Sequence, residues 1–389
     1  KEYCRIFAML ETQTMSKNIL YILLICSFCA CSSPNKGSDK QTILYQTDSL
    51  TYAKHFSLKH AQNHTLLTIH NPWNEGQILG KYYLIKHDSI STPTDGTRIL
   101  IPLKRVCIQS APHMGYIDAL EQSAVVVGAC SPQLFYSQNL RTQYQNGMVS
   151  HLGDAYQMHL EKITQLNPQA VFVTAYPQAD TQTDRLKKLQ IPVIPTIEWT
   201  EPHLLARAEW IKVFGMLMDK AAIADSIFNQ TCQHYQALTQ LAQSANNKPV
   251  IMSGLPFKDT WYMPGGNSFM GQLFKHAGVS YHYSDNMQTS SLPLSFETVW
   301  YHFNQADIWV GVDADSVNQL AQMDKRLIDF KPVKRGQVFH YRKRTTPMGG
   351  NDFWESAVVY PDKLLHDLMC IAHPTLLPNQ ETYYIERLP

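Results

Sequence analysis

The side chains best equipped to grip a ligand fall in short loops that leave predicted strands. In the first half of the chain these loops carry Ser110, His113, Met114, Tyr136, Arg141 and Tyr176. In the second half they carry Trp261, Tyr262, Asp313, Arg342, Arg344 and Trp354. Aromatic rings supply flat contact area, and guanidinium groups pair with carboxylate, phosphate or catecholate oxygens. The set suits a large ligand that is partly aromatic or anionic, although each residue also has an ordinary use in packing. Two acids stand apart. Glu161 and Glu297 each lie near the start of a short predicted helix, where the helix dipole stabilises a carboxylate by about 0.3–1 kcal/mol. That alone accounts for them; the functional reading is that each half displays one exposed acid, together a two-point dock for a basic partner.

Other chemistry is poorly supplied. The sequence has no Gly-x-Ser-x-Gly elbow, no His-Glu-x-x-His, no P-loop and no Gly-x-Gly-x-x-Gly, which argues against the common enzyme classes. Gly265-Gly266-Asn267-Ser268 turns into a helix whose N-terminus is able to receive an anion, but a plain turn and cap explains it as well. The 16 histidines are scattered, and Tyr281-His282-Tyr283 is the nearest approach to a cluster, so neither a metal site nor a cofactor is expected. Lysine plus arginine is 33 against 32 acids, a net charge of +1 without a basic stripe, which disfavours nucleic acid as a partner. Cys107, Cys130, Cys232 and Cys370 match no zinc spacing and read as buried free thiols.

The elements that must position these residues follow from the apolar pattern. A chain of 389 residues with 44% hydrophobic and 17% charged content is globular, with two domains as the natural expectation. Residues 105–200 alternate strands (106–108, 124–127, 170–174, 193–195) with helices (112–122, 158–166, 184–189), the pattern of a parallel sheet wrapped by helices. Residues 248–389 repeat it, with strands at 249–253, 307–312 and 338–340 and helices at 268–277, 295–303, 320–328 and 361–373. The halves echo each other: Glu161 leads through a short helix to Ala170, and Glu297 leads by the same step to Ala306. Between them, residues 201–247 are helical. Thr200-Glu201-Pro202 reads as a helix start, Gly215 and Met218-Asp219 as a break, and 219–243 as a spine helix of about 37 Å. The fold class is therefore α/β, two lobes joined by a long helix, preceded by a β-rich addition at 50–104.

The N-terminus reads as a targeting segment. Residues 1–14 look like upstream sequence, with Met15 as the start, Lys17 as the positive region and 19–28 as an apolar run too short to span a bilayer. Cys26-x-x-Cys29 falls inside this removed segment of 1–30. Ala30-Cys31 followed by a polar stretch resembles a bacterial lipoprotein lipobox, with Phe28 where leucine is usual. It implies lipidation of Cys31, a tether over 31–49 and a multi-chain membrane anchor.

The chain from Arg105 to His373 resembles the ABC-transporter substrate-binding proteins that carry iron–siderophore complexes, haem or vitamin B12. The residues that carry the resemblance are Arg105-Val106-Cys107-Ile108, Leu160-Glu161-Lys162-Ile163 through Leu166-Asn167-Pro168, and the long helix. Trp261 through Ser268, Leu294-Ser295-Phe296-Glu297 and Ala306-Asp307-Ile308-Trp309 add to it. Gln169 stands where the family usually has aspartate, and residues 50–104 fall outside its common core. The resemblance implies two lobes held by a rigid helix, a ligand between them, and one glutamate per lobe meeting arginines of an inner-membrane permease, at Glu161 and Glu297. It implies a monomeric, periplasmic, lipid-anchored carrier of a ferric chelate that performs no chemistry. A corrinoid or haem is the alternative cargo. A metal-dependent enzyme or a zinc or manganese carrier is a more distant reading, the latter requiring several His, Asp or Glu side chains converging between the lobes.

Overall fold

In the computed structural model, residues 43–178 and 180–389 are described; the targeting segment and Cys31 lie outside them. The N-terminal addition is a five-stranded sheet of β1 (Gln46–Thr47), β2 (Phe56–His60), β3 (His64–His70), β4 (Ile78–Ile85) and β5 (Thr97–Leu100), in that spatial order. Neighbours are antiparallel except β5, which runs parallel to β4. β1 falls inside the stretch expected to be tether, so ordered structure begins earlier than composition indicates. Alternation along β2 buries Phe56 and Leu58, and this face joins the first lobe's core rather than forming its own.

The first lobe is a parallel sheet of β6 (Val106–Ile108), β7 (Val126–Ala129), β8 (Ser150–His151), β9 (Ala170–Thr174) and β10 (Val193–Thr196). Its helices are α1 (Ala111–Ala119), α2 (Gln138–Gln145), α3 (Leu160–Leu166) and α4 (Thr181–Lys188). The order is β10-β9-β6-β7-β8. From β6 the chain winds one way to β7 and β8, and the other way to β9 and β10. The winding thus reverses between β6 and β9, the place where open α/β sheets form a crevice beyond the strand ends.

Three helices connect the lobes: α5 (Leu204–Glu209), α6 (Ile211–Leu217) and α7 (Ala221–Gln243). The expected start at Thr200-Glu201-Pro202 is incorrect. A short 3₁₀ turn occupies Glu198–Thr200, and α5 begins after His203, whose side chain accepts the N–H of Leu205. Glu201 is not a first-turn acid; its buried carboxylate accepts the backbone N–H groups of Lys54 and His55, each at 3.0 Å. The expected break is real: Asp219 has φ of 55°. α6 and α7 then pack so closely that a Cβ on Gly215 would lie 2.5 Å from Ala224 Cβ. The spine, α7, has 23 residues and is about 35 Å long at 1.5 Å per residue. Ala224 and Phe228 sit in the first lobe's core and Tyr235 and Ala242 in the second's, so one rigid element threads both.

The second lobe holds β11 (Ile251–Ser253), β12 (Pro256–Phe257), β13 (Thr260–Pro264), α8 (Phe269–His276), β14 (Ser291–Leu294), α9 (Phe296–Phe303) and β15 (Ile308–Val310). Then come α10 (Val317–Met323), α11 (Lys331–Lys334), β16 (Phe339–His340), α12 (Asp352–Glu355), α13 (Pro361–Ala372) and β17 (Glu386–Arg387). β11 and β15 are parallel, and Trp309 bridges in parallel to Val338. This lobe is less regular than its sequence suggests: β12, β13 and β14 form an antiparallel meander, and β16 pairs antiparallel with β17. The helix expected over 320–328 is α10 followed by a 3₁₀ turn.

At the end of α5, Glu209 accepts N–H groups from Thr51, Tyr52 and Ala53 at 2.8–2.9 Å. Removing an acceptor leaves buried donors unpaired, at roughly 1–3 kcal/mol each. Glu209→Ala is expected to lower unfolding stability by about 3 kcal/mol or more, measured by urea denaturation, and to expose the 43–55 segment to limited proteolysis.

Candidate functional site

At the switch point the loops leaving β6 and β9 touch directly: Ser110 Oγ lies 3.0 Å from Thr174 Oγ1. Gln109 ties the same place together, donating to Ala155 O at 2.7 Å and accepting from Thr174 N at 2.7 Å. His113, one turn into α1, is fully buried beneath them. Its Nδ1 accepts the Ser110 N–H at 3.4 Å, and its Nε2 donates to Thr196 Oγ1 at 2.8 Å. Burial pushes its pKa down to about 3, so the ring is neutral. Arg207 of α5 reaches across to the second lobe, its guanidinium carbon 4.5 Å from the Phe269 ring centroid.

A cavity of about 370 Å³ is lined from both lobes. Tyr136, Arg141 and Asp118 come from the first; Arg344, Asp352, Glu355, Tyr360 and Tyr383 come from the second. The Arg344 guanidinium is held between the rings of Tyr136 and Tyr383, at 4.9 and 4.3 Å, while its Nε donates to Asp352 at 2.6 Å. Glu355 accepts the N–H groups of Tyr136 and Ser137, each at 2.8 Å. Burial, with Asp118 and Asp352 nearby, raises its pKa to about 8 against that hydrogen bonding. Arg141 Nε and Asp118 Oδ1 are buried without a hydrogen-bond partner among the described residues. The lobes meet closely here: a Cβ on Gly115 of α1 would fall 1.9 Å from the Glu355 carbonyl oxygen.

Of the residues singled out by sequence, Tyr136, Arg141 and Arg344 are brought together in this cavity. Ser110 lies at the switch point and Tyr176 is exposed beyond β9. His113, Met114 and Trp261 must be corrected: all three are fully buried. Met114 fills the first core. Trp261 donates to Ser253 O at 2.9 Å and packs against Trp309, while the next residue on the strand, Tyr262, faces outward. Arg342 is occupied on the surface by Asp315 at 2.8 Å and Asp313 at 3.7 Å. Trp354 is exposed on α12. Sequence reasoning missed Asp118, Glu355 and Tyr383, which sit on helices or near the C-terminus with no loop signature. It also missed Trp199, which leaves β10 and satisfies the same loop rule as Tyr176.

Cys107 and Cys130 are buried as expected, but Cys232 and Cys370 are only partly so. Among the described residues no three His, Cys, Asp or Glu side chains gather as a metal set; His282 stacks instead on His302, with ring centroids 3.7 Å apart. Glu161 and Glu297 are each the second residue of a helix, α3 and α9. Each helix feeds a strand of a parallel pair, so it begins on the face where the strands end. Glu297 is 76% exposed with Arg326 Nη1 at 3.6 Å; Glu161 is exposed and has no ion pair among the described residues.

Residues 129–345, more than half the chain, match the family model described as periplasmic binding protein. The chain belongs to the periplasmic binding protein family. It is 22% identical to an uncharacterized lipoprotein of Methanocaldococcus jannaschii, over 95% of this chain and 96% of that one. A periplasmic haem-binding protein from Pseudomonas aeruginosa shares the fold with a TM-score of 0.57 at 15% identity, covering 74% of this chain and 98% of the other. A periplasmic vitamin B12-binding protein from Vibrio cholerae does so with a TM-score of 0.52 at 13% identity, covering 72% and 99%. The solved structures of like fold give this periplasmic binding protein a two-lobed α/β fold.

The Glu355 pKa carries a sign. Raised from its ordinary 4.5 to about 8, it adds stability that is complete below pH 4.5 and is lost as pH rises through 8. Glu355→Gln removes that titration. The stability gap between wild type and variant should therefore shift in the variant's favour from pH 4.5 to 8, read as the difference in melting temperature across that range.

Proposed function

We propose that this binding protein captures a ferric chelate between its lobes and delivers it to an ABC permease. The observation that carries the reading is the cavity to which both lobes contribute an arginine and a tyrosine: Arg141 and Tyr136 from one side, Arg344 and Tyr383 from the other. Guanidinium groups suit the oxygen-rich, anionic shell of such a chelate, and the rings suit its aromatic parts. Arg141 is the better of the two grips, since its Nε has no protein partner among the described residues while Arg344 is engaged by Asp352. A corrinoid or haem is a second cargo supported by the solved structures of like fold, which are named for those ligands. No covalent step is required of the protein in either case. The anchor is a lipid on Cys31, holding the protein on a membrane of the cell envelope and facing the periplasm.

The test is a titration of the purified protein against ferric catecholates, ferric hydroxamates, haemin and cobalamin, followed by tryptophan fluorescence. A ferric chelate is expected to bind at micromolar concentration or tighter. Arg141→Gln should weaken an anionic chelate by about tenfold or more with the melting temperature unchanged. Binding of a bare divalent metal, with no chelate bound, defeats the reading.

Docking rests on Glu161 and Glu297, one exposed acid at the same helical position in each lobe. Paired opposite charges steer and register an encounter more than they add affinity. A Glu161→Arg, Glu297→Arg double variant should abolish cargo uptake by cells while ligand affinity of the purified protein stays the same. Uptake at the wild-type rate would reduce both acids to helix-start residues.

A further inference from the structure

A second cavity, of about 590 Å³, lies wholly within the second lobe, at the start of α9. Leu255 reaches it from the end of β11, Phe296 and Glu297 from α9, and Asp324 and Arg326 from the segment that follows α10. The turn between β12 and β13, Lys258-Asp259, forms a further wall. Three acids, Asp259, Glu297 and Asp324, thus face two cations, Lys258 and Arg326.

Arg326 shows what this place accepts. Its guanidinium carbon lies 3.8 Å from the Phe296 ring centroid, and its Nε and Nη2 donate to Asp324 at 3.0 and 2.7 Å. A ring face and a forked carboxylate are the two surfaces a guanidinium prefers. Glu297 is left over: Arg326 Nη1 stops 3.6 Å from it, beyond hydrogen-bond length. Lys258 is drawn aside, its Nζ 5.4 Å from the centroid of the Phe257 ring. Lys258 and Asp259 have φ of 48° and 63°, the conformation that fits a two-residue turn to the twist of a hairpin, and this turn leaves Asp259 exposed. Beside the charges the surface is apolar: Phe257 is 64% exposed and Met323 56%.

We propose that this cavity is a socket for an arginine-bearing segment of the permease, and that Arg326 is its resident competitor. The incoming guanidinium takes Glu297 and Asp259, while Arg326 stays on Asp324. The inference rests on reading Glu297 as a docking acid. It adds that the second lobe's dock is recessed and partly neutralised by the chain itself, unlike the open acid at Glu161. A protein partner fits better than cargo, because none of the lining residues comes from the first lobe. Exposed apolar side chains beside a charged hollow also suit a protein surface.

The test uses the full chain and labelled tetra-arginine amide, with tetra-lysine amide for comparison, followed by fluorescence anisotropy at low ionic strength. Arg326→Gln should tighten tetra-arginine by roughly two- to fivefold, and tetra-lysine by less, because an ammonium lacks the planar fork. Arg185→Gln, the same loss of charge on α4 of the first lobe, should change neither. Adding Glu297→Gln to Arg326→Gln should cancel the gain. Asp259→Asn keeps a residue type that tolerates positive φ and should weaken the peptide in the wild-type background, so the reading survives a failure of Arg326→Gln to fold. Tetra-arginine binding that ignores Arg326, Asp259 and Glu297 overturns the socket, and an equal gain in Arg185→Gln overturns it too; the docking reading is then still decided by uptake in the Glu161→Arg, Glu297→Arg variant. Binding that follows the three residues, with uptake by that double variant at the wild-type rate, keeps the socket and removes the permease as its partner.

Discussion

One interaction recurs wherever distant parts of this chain are joined: a buried carboxylate that accepts two or three backbone N–H groups from a remote segment. Glu209 holds residues 51–53 and Glu201 holds 54–55 together with the indole of Trp210. Glu355 holds 136–137, and Asp367 on α13 holds Tyr383, Tyr384 and Ile385. A buried carboxylate is costly unless its lone pairs are filled, and N–H groups aimed at an anion make charge-assisted bonds of about twice the ordinary strength; Glu355, raised to about 8, accepts its two N–H groups as a neutral acid near neutrality. Each acid therefore solves two problems at once: it satisfies amides that no strand or helix pairs, and those amides satisfy it. These clasps add direction to apolar contact, which is non-directional, where the N-terminal sheet and the second lobe meet the first lobe and where the C-terminal tail meets the second.

The Glu355 clasp has a special position because it crosses between lobes. The close approach of Gly115 to the Glu355 carbonyl and the two bonds to Tyr136 and Ser137 fix one edge of the shared cavity. The spine fixes the other dimension, since α7 is anchored in both cores. Under the proposed function, a cavity bounded in these two ways keeps its width without the ligand. The arginines and tyrosines that line it are then already placed when a ligand arrives, and little ordering entropy is left to oppose binding.

Much of this architecture is readable in the sequence because strands covered on both faces must be continuous apolar runs. Ala170–Thr174 is such a run, and the strand occupies those same residues. α9 is legible to within one residue because Ser295 caps it, accepting from Thr298 N at 3.2 Å. The meander of β12, β13 and β14 was not legible: its short strands alternate buried and exposed residues, a pattern shared with loops. Glu201 shows a deeper limit. Its type and position fit a helix start, yet its real partners lie almost 150 positions earlier, and no local rule reports on them. The same limit governs the site. Loop position told which strand ends matter, but Trp261 and Tyr262 are neighbours on one strand pointing to opposite faces, and only the sheet's register decides which one meets solvent.

The titratable groups near the switch point bear on what such a site is able to do. Burial drives His113 down to about 3 and the thiols of Cys107 and Cys130 up to about 12. A histidine that stays neutral and thiols that stay protonated exchange no protons near neutrality, and so serve poorly as base or nucleophile. Beside the carboxyls of Asp118, Asp352 and Glu355, the cavity presents permanently charged guanidiniums and tyrosine rings. Their attractions to an anionic or aromatic ligand form and break without covalent change. The proposed carrier role needs that reversibility, because contacts that hold a cargo must also be surrendered whole when it is delivered.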